Sequence, residues 1–227
     1  MTPRIARAQA VQARLRSRVR ASGGPRRVRL VAGADLAYRG DGSRAWAAVV
    51  LWSPSDGAVV ETVTASGRPS FPYVPGYLSF REGPLLLRAF GRLRHRPDLV
   101  LFDGQGIAHP RGVGLASHLG VLLDLPSVGC AKSRLVGEHG EPGPRRGDWT
   151  PLVLAGRQVG AVVRSRDGVK PLWVSPGHRI GIRQAVRWTL ACSRTRVPEP
   201  IRLAEQVVNR LKAGWRLKAG WRLKAGR

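Results

Sequence analysis

Apolar residues recur at helical spacing over residues 5–19 (IARAQAVQARLRSRV), and Ser22-Gly23-Gly24-Pro25 ends that element. Three strand patterns follow: 28–38 (VRLVAGADLAY), 45–52 (AWAAVVLW) and 58–65 (AVVETVTA). The turn clusters Gly40-Asp41-Gly42-Ser43 and Pro54-Ser55-Asp56-Gly57 separate them, so they read as an antiparallel meander. After the proline-rich FPYVPG a helical pattern runs to about residue 95, with Pro84 in its first turn or kinking it. Next come an apolar run ending at Asp103, a helix around 113–124, a short strand SVGCAKS (127–133) and a loop rich in Gly, Pro and Arg (137–147). Strands near 151–164 and 170–175 precede two helical patterns, 179–193 and 200–213.

Strands followed by alternating helices and strands predict an α/β fold: a mixed sheet, its later strands parallel to the first, with helices on both faces. If the strand ending at Asp103 lies beside the first, Asp35 and Asp103 become neighbours at one end of the sheet. A chain of 227 residues suits one globular unit with a real core.

Charge changes the picture. Lys and Arg number 39 against 14 Asp and Glu, a net +25, which points to a polyanionic partner, nucleic acid first and an anionic membrane surface second. Arginine- and alanine-rich composition is also what a GC-rich genome imposes. No run reaches the ~18 apolar residues of a membrane helix, and the basic N-terminus lacks the apolar core of a secretory signal, so a cytoplasmic protein is expected. Cys130 and Cys192 lie in apolar surroundings without metal-ligand spacing and read as buried thiols.

In so basic a chain, a carboxylate at the end of an apolar run needs a cation or a set of hydrogen bonds. Asp35 interrupts an apolar strand, Glu82 opens the following helix, and Asp103 ends the next strand. Brought together in a low-dielectric spot they repel one another unless divalent cations neutralise them, and hard oxygen ligands suit magnesium or manganese. Asp41, Asp56 and Asp167, each in a glycine turn, read as turn residues. His118 and His139 read as core or solvated histidines, and Trp46, Trp52, Trp173 and Trp188 as core or cap residues. Gly104-x-Gly106 is no dinucleotide fingerprint, because His109 takes the third glycine's position and no acid follows at ribose distance. The phosphate-loop, zincin and nucleophile-elbow motifs are all missing from the sequence.

Five segments, GADLAY, PYVPGYLSFREGP, LVLFDGQGIAHPRGVGLASHLG, GCAKSRLVG and SPGHRIG, resemble the successive motifs of the endonuclease V family, in order and at similar spacing over roughly residues 3–213. The resemblance implies a ribonuclease H-like fold and Mg2+ dependence, with Mn2+ able to substitute. It also implies nicking at the second phosphodiester bond 3′ to deoxyinosine, leaving 3′-OH and 5′-phosphate. By motif, Asp35, Glu82 and Asp103 match the metal-binding carboxylates. Lys132 matches a lysine that contacts phosphate, and His178 a histidine near the metal. Tyr73, between Pro72 and Pro75, matches the wedge that parts the strands. Gly76, Leu78, Gly104, Gly106 and Leu135 match the pocket for the flipped base, with His109 and Arg111 in the same region. A monomer acting on inosine-containing DNA is implied, with inosine-containing RNA or non-catalytic nucleic-acid binding as alternatives.

The resemblance does not explain residues 211–227, which repeat LKAGWR, LKAGWR, LKAGR. On a helix a six-residue period advances about 240° per repeat and each glycine costs ~1 kcal/mol. Extended, the segment sorts Leu, Ala and Trp to one side and Lys, Arg and Gly to the other. The expectation is therefore a catalytic domain over 1–213 and a disordered basic tail over 214–227. Such a tail is either an inert repeat expansion or an arm that tracks a nucleic-acid backbone.

Overall fold

The computed structural model describes residues 2–224, with side chains through 215. Its elements in chain order are α1 (Pro3–Arg16), β1 (Val31–Tyr38), β2 (Ala45–Ser53), β3 (Ala58–Gly67), α2 (Leu78–Phe90), β4 (Leu99–Phe102) and α3 (Leu115–Leu123). Then follow β5 (Ser127–Ala131), β6 (Trp149–Leu154), β7 (Arg157–Val163), β8 (Leu172–His178), α4 (Ile182–Ala191) and α5 (Glu199–Lys224). One eight-stranded mixed sheet, ordered β3-β2-β1-β4-β5-β8-β7-β6, carries helices on both faces.

The turn residues close the β1–β2–β3 meander as expected, and β4 returns parallel to β1 with Ala34 opposite Phe102. β5 continues the parallel run beside β4. β4 and β5 are the later strands expected to run parallel to the first; beyond them β8 pairs antiparallel with β5, and β7 and β6 follow antiparallel. A parallel partner needs a crossover, usually helical. Between β5 and β8 the chain has only a loop and the β6–β7 hairpin, turned by Ala155 and Gly156, both at positive φ.

β4, buried throughout, sends Val100 and Phe102 to one core and Leu99 and Leu101 to the other. The first core receives Leu85, Leu86 and Phe90 of α2 with Leu115 and Leu119 of α3; the second receives Ala185 and Val186 of α4 with Ile201 of α5. At Gly33 of β1 the sheet and α5 touch backbone to backbone, for a Cβ there would lie 2.0 Å from the Pro200 carbonyl carbon. α2 contains Pro84 and stops at Gly91, short of residue 95.

The domain boundary expected at residue 213 falls within α5. α5 carries on through the repeat to Lys224, and residues 225–227 lie outside the described part. Trp215 supplies a reason: it packs on Trp46 of β2 with ring centroids 5.9 Å apart, and the Arg39 guanidinium lies 4.3 Å from its ring. A helix already nucleated on the sheet propagates through Leu, Lys, Ala and Arg, good helix formers that offset the glycines. Among the described residues no helix is long and apolar enough to cross a membrane.

Candidate nuclease site

Because Ala34 is opposite Phe102, the next residues in each strand, Asp35 and Asp103, come together at the C-terminal end of the β1–β4 pair. Glu82 reaches the same place from α2 and accepts a hydrogen bond from the Tyr38 hydroxyl at 3.2 Å. Lys132, just past β5, sets its Nζ 2.7 Å from Asp103 Oδ2 and 3.5 Å from Glu205 Oε2 of α5. Four carboxylates and one lysine thus meet where two parallel strands end.

Their electrostatics follow from crowding and burial. Burial pushes the Asp35 carboxyl up to about 6, the Leu36 amide opposes the shift, and Asp103 and Glu205 add to it. Burial likewise pushes Glu82 to about 8, against the Tyr38 hydrogen bond and with the help of Asp35 and Asp103. Burial works against the Lys132 charge, but the Asp103 hydrogen bond and the Glu205 carboxylate hold its pKa above the ordinary lysine value. Among the described residues no three His, Cys, Asp or Glu side chains form a ready-made metal cluster, and Lys132 bridges two of the acids instead. The donor set is still all hard oxygen, and its crowding, which raises Asp35 and Glu82 further, suits the charge of a divalent ion.

Asp103 and Lys132 also belong to the wall of a cavity of about 310 Å³ beside the acids. Four segments surround it, with His109: Tyr73–Gly76 with Leu78 and Ser79, Asp103–Gln105, Val113–Leu115, and Ala131–Leu135. Gln105, absent from the sequence expectations, ties two walls by donating from Nε2 to the Ser133 carbonyl at 3.0 Å. Tyr73 stands at the rim, 71% exposed, and Leu135 is 44% exposed.

Gly76 is held at φ +79°, a left-handed conformation in which a side chain is strained. Its carbonyl accepts from Gln12 Nε2 at 3.0 Å, His109 Nε2 at 3.0 Å and an Arg111 terminal nitrogen at 2.6 Å. Arg111 also donates Nε to Gln12 Oε1, and its guanidinium lies over the Tyr77 ring. His109 Nδ1 accepts from the Arg111 amide, which leaves Nε2 as the donor to Gly76. Burial and the nearby Arg111 push the His109 pKa down to about 4, so at neutral pH it is an uncharged clamp. His109 and Arg111 therefore brace the cavity, with the fully buried Gln12 of α1 as a partner the sequence reading missed.

Of the residues expected around the flipped base, Gly76, Leu78, Gly104 and Leu135 line the cavity and Gly106 does not; of the prolines flanking Tyr73, Pro75 is in the wall and Pro72 is not. Gly106 instead packs against β8: a Cβ there would meet the Pro176 carbonyl at 2.0 Å, and its amide donates to Ser175 Oγ at 2.8 Å. His178 lies away from the acids. Because β8 runs antiparallel to β5, His178 pairs with Ser127 at the start of β5, the opposite end of the sheet from Asp103. There its Nδ1 accepts from the Arg20 amide and its Nε2 faces Asp124 at 3.6 Å.

Glu205 is the acid the sequence reading missed. A signal existed: it is flanked by the buried stripe Ile201, Ala204 and Val208 in a strongly basic chain.

A family model described as Endonuclease V matches residues 13–206. The chain belongs to the endonuclease V family. Endonuclease V of Roseiflexus sp. (strain RS-1) is 50% identical over 206 residues, covering 90% of this chain and 92% of its own. The crystal structure of endonuclease V from Streptomyces avermitilis superposes with a TM-score of 0.86 at 42% identity, covering 91% of this chain and 92% of that one. The Ciona intestinalis endonuclease V, in complex with a 24mer DNA containing an inosine followed by a ribo-adenosine, gives 0.81 at 27% identity, covering 92% and 98%. As an endonuclease V the protein is a nuclease with the family's ribonuclease H-like fold.

Proposed function

We propose that this endonuclease V is a divalent-metal-dependent enzyme that nicks a strand at the second phosphodiester bond 3′ to deoxyinosine, leaving 3′-OH and 5′-phosphate. The same reading makes it a cytoplasmic monomer. One observation carries it: Asp103 and Lys132 are shared between the acid cluster and the cavity, so a base in the cavity brings its own strand to the acids. The DNA bound by the Ciona relative contains inosine, the nucleoside of hypoxanthine. Extruding a base costs a few kcal/mol, least at a weak pair, and inosine pairs weakly.

Each group has a part in this reading. Gly76 and Gly104 let a flat base approach the backbone, and the Gln12–Arg111–His109 clamp keeps the Gly76 turn in place. Tyr73, exposed at the rim, takes the space the base leaves. Asp35, Glu82, Asp103 and Glu205 would hold Mg2+ or Mn2+, and such an ion supplies Lewis acidity at the phosphate and charge to balance the acids. Lys132 turns its ammonium from the carboxylates to the scissile phosphate and stabilises charge developing on the phosphoryl oxygens.

A nicking assay with inosine in matched DNA and RNA strands, with and without Mg2+, tests the proposal. The expected result is one metal-dependent cut at the second bond 3′ to inosine in DNA. Cutting of undamaged strands at the same rate, or no cutting in Mg2+ or Mn2+, overturns it. The ribo-adenosine after inosine in the Ciona complex favours RNA as the second substrate, and the RNA arm measures that preference.

A further inference from the structure

Helix α5 outruns the family match, which ends at residue 206, and continues to Lys224. Its course is fixed at four points. Pro200 abuts Gly33, Glu205 reaches Lys132, Val208 packs with Ala48 and Val50, and Trp215 lies on Trp46 beneath Arg39. β1 runs in the same sense, from Gly33 through Asp35 to Tyr38 and the turn that carries Arg39. α5 therefore travels toward the end of the sheet that holds the acids and passes it. Residues 216–224 extend the axis by roughly 14 Å at helical rise.

This segment is unusual in charge. From Gln206 to Arg227 the sequence holds Arg210, Lys212, Arg216, Lys218, Arg222, Lys224 and Arg227 and no Asp or Glu. A six-residue period turns about 240° per repeat on a helix, so neither an apolar stripe nor a cationic stripe is sustained. A groove in a protein partner and a membrane surface both select a stripe; a flexible polyanion passing alongside does not. The overhang leaves from the end of the sheet where a nucleic-acid strand must enter.

We propose that the α5 extension is a nucleic-acid arm: moored by Trp215 between Trp46 and Arg39, it grips the phosphodiester backbone flanking the nick site. The proposal rests on the nuclease reading of the site and not on the identity of the lesion. The arm adds affinity that is independent of sequence and of lesion, as contacts to phosphate do.

The test compares the full chain, a chain truncated after Ala213, a Trp215→Ala variant, and a full-length chain with Arg216→Gln, Lys218→Gln, Arg222→Gln and Lys224→Gln. Binding to an undamaged duplex and to one with a single inosine is measured across a salt series without divalent metal. Truncation lowers the net charge from +25 to +20 by removing five cations. In the truncated and glutamine forms the slope of log affinity against log salt should shrink by up to about 0.9 per lost contact, equally for both duplexes. Trp215→Ala should weaken both duplexes by a smaller factor. The nick position and the single-turnover rate at saturating enzyme should stay those of the full chain. Unchanged slopes in the truncated and glutamine forms overturn the proposal, as does a loss confined to binding of phosphatidylserine vesicles. If no form nicks the inosine duplex while the slopes still differ, the inosine reading fails and the arm stands.

Discussion

Lys132 pairs with two carboxylates, and the proposed reaction asks it to release them. On the proposed reading, removing an acid should therefore hurt cleavage far more than binding, because it deletes a carboxylate proposed to hold the metal while relieving negative charge that would face phosphate. Asp35→Ala and Asp103→Ala should lower nicking at least ~10³-fold, a scale on which removal of one electrostatic group is felt, with inosine-duplex affinity near that of the parent. His178→Ala is the control: it should lower the melting temperature, since a buried group hydrogen-bonded to the Arg20 amide is lost, and leave the nicking rate within a few-fold. A rate collapse in the His178 variant comparable to that of Asp103→Ala would contradict the placement at opposite ends of the sheet. Tyr73 calls for a different comparison. An aromatic ring stacked on a base contributes ~1–3 kcal/mol, so Tyr73→Ala should weaken lesion binding by about tenfold or more while Tyr73→Phe stays close to the parent. Equal losses would assign the effect to the hydroxyl.

Among the elements, α5 couples fold to chemistry, since it touches β1 at Gly33 and delivers Glu205 five residues after Pro200. Gly33→Ala forces a Cβ into the Pro200 backbone, which cannot rotate aside as a side chain can. Overpacking of this kind costs about 1–3 kcal/mol, and urea denaturation should show the midpoint falling accordingly. Nicking should fall as well, because the displaced helix carries Glu205; an unchanged midpoint would mean the helix yields freely. The same element marks where sequence reading succeeds and stops. The β1–β2–β3 meander, β4 and the approach of Asp35 to Asp103 were legible, because alternation, turn residues and a parallel return are local patterns. The direction of β8 was not, since nothing within residues 170–178 records the direction of their neighbour. His178 was expected near the metal from its motif alone, and the antiparallel β8 carries it to the other end of the sheet. Glu205 meets Lys132 across 73 residues of chain, and Gln12 meets Arg111 across 99, beyond any periodicity. Propensity, in which the glycines weigh against a helix, carries no trace of Trp215 packing on Trp46, a contact between residues far apart in the chain.

For the molecule as a whole, four of only fourteen acids, Asp35, Glu82, Asp103 and Glu205, are gathered at one site in a chain of net charge +25. That concentration makes stability depend on pH in a direction opposite to the usual acid denaturation. Asp35 is raised from 3.8 to about 6 and Glu82 from 4.5 to about 8, in both cases first by burial. A group whose folded pKa lies above its unfolded value contributes stability that is complete below the unfolded pKa and disappears as pH climbs through the folded one. For this pair the contribution is full below about pH 4, declines from there and is gone by about pH 8, so the metal-free protein gives up stability across that window. A divalent ion selects the ionised carboxylates and so competes with protons. Its stabilising effect must then grow as pH rises, and ligand linkage converts the tighter binding into a higher melting temperature. Thermal melts with and without Mg2+ at a series of pH values from about 5 to 8 should show a difference that is small at the acid end and largest near pH 8. Asp103→Ala should flatten that difference, because it removes a ligand and part of the charge that raises Asp35 and Glu82. A metal-induced shift independent of pH would mean that the ion binds away from these carboxylates, and the four acids would then need another cation, with Lys132 as the one already present.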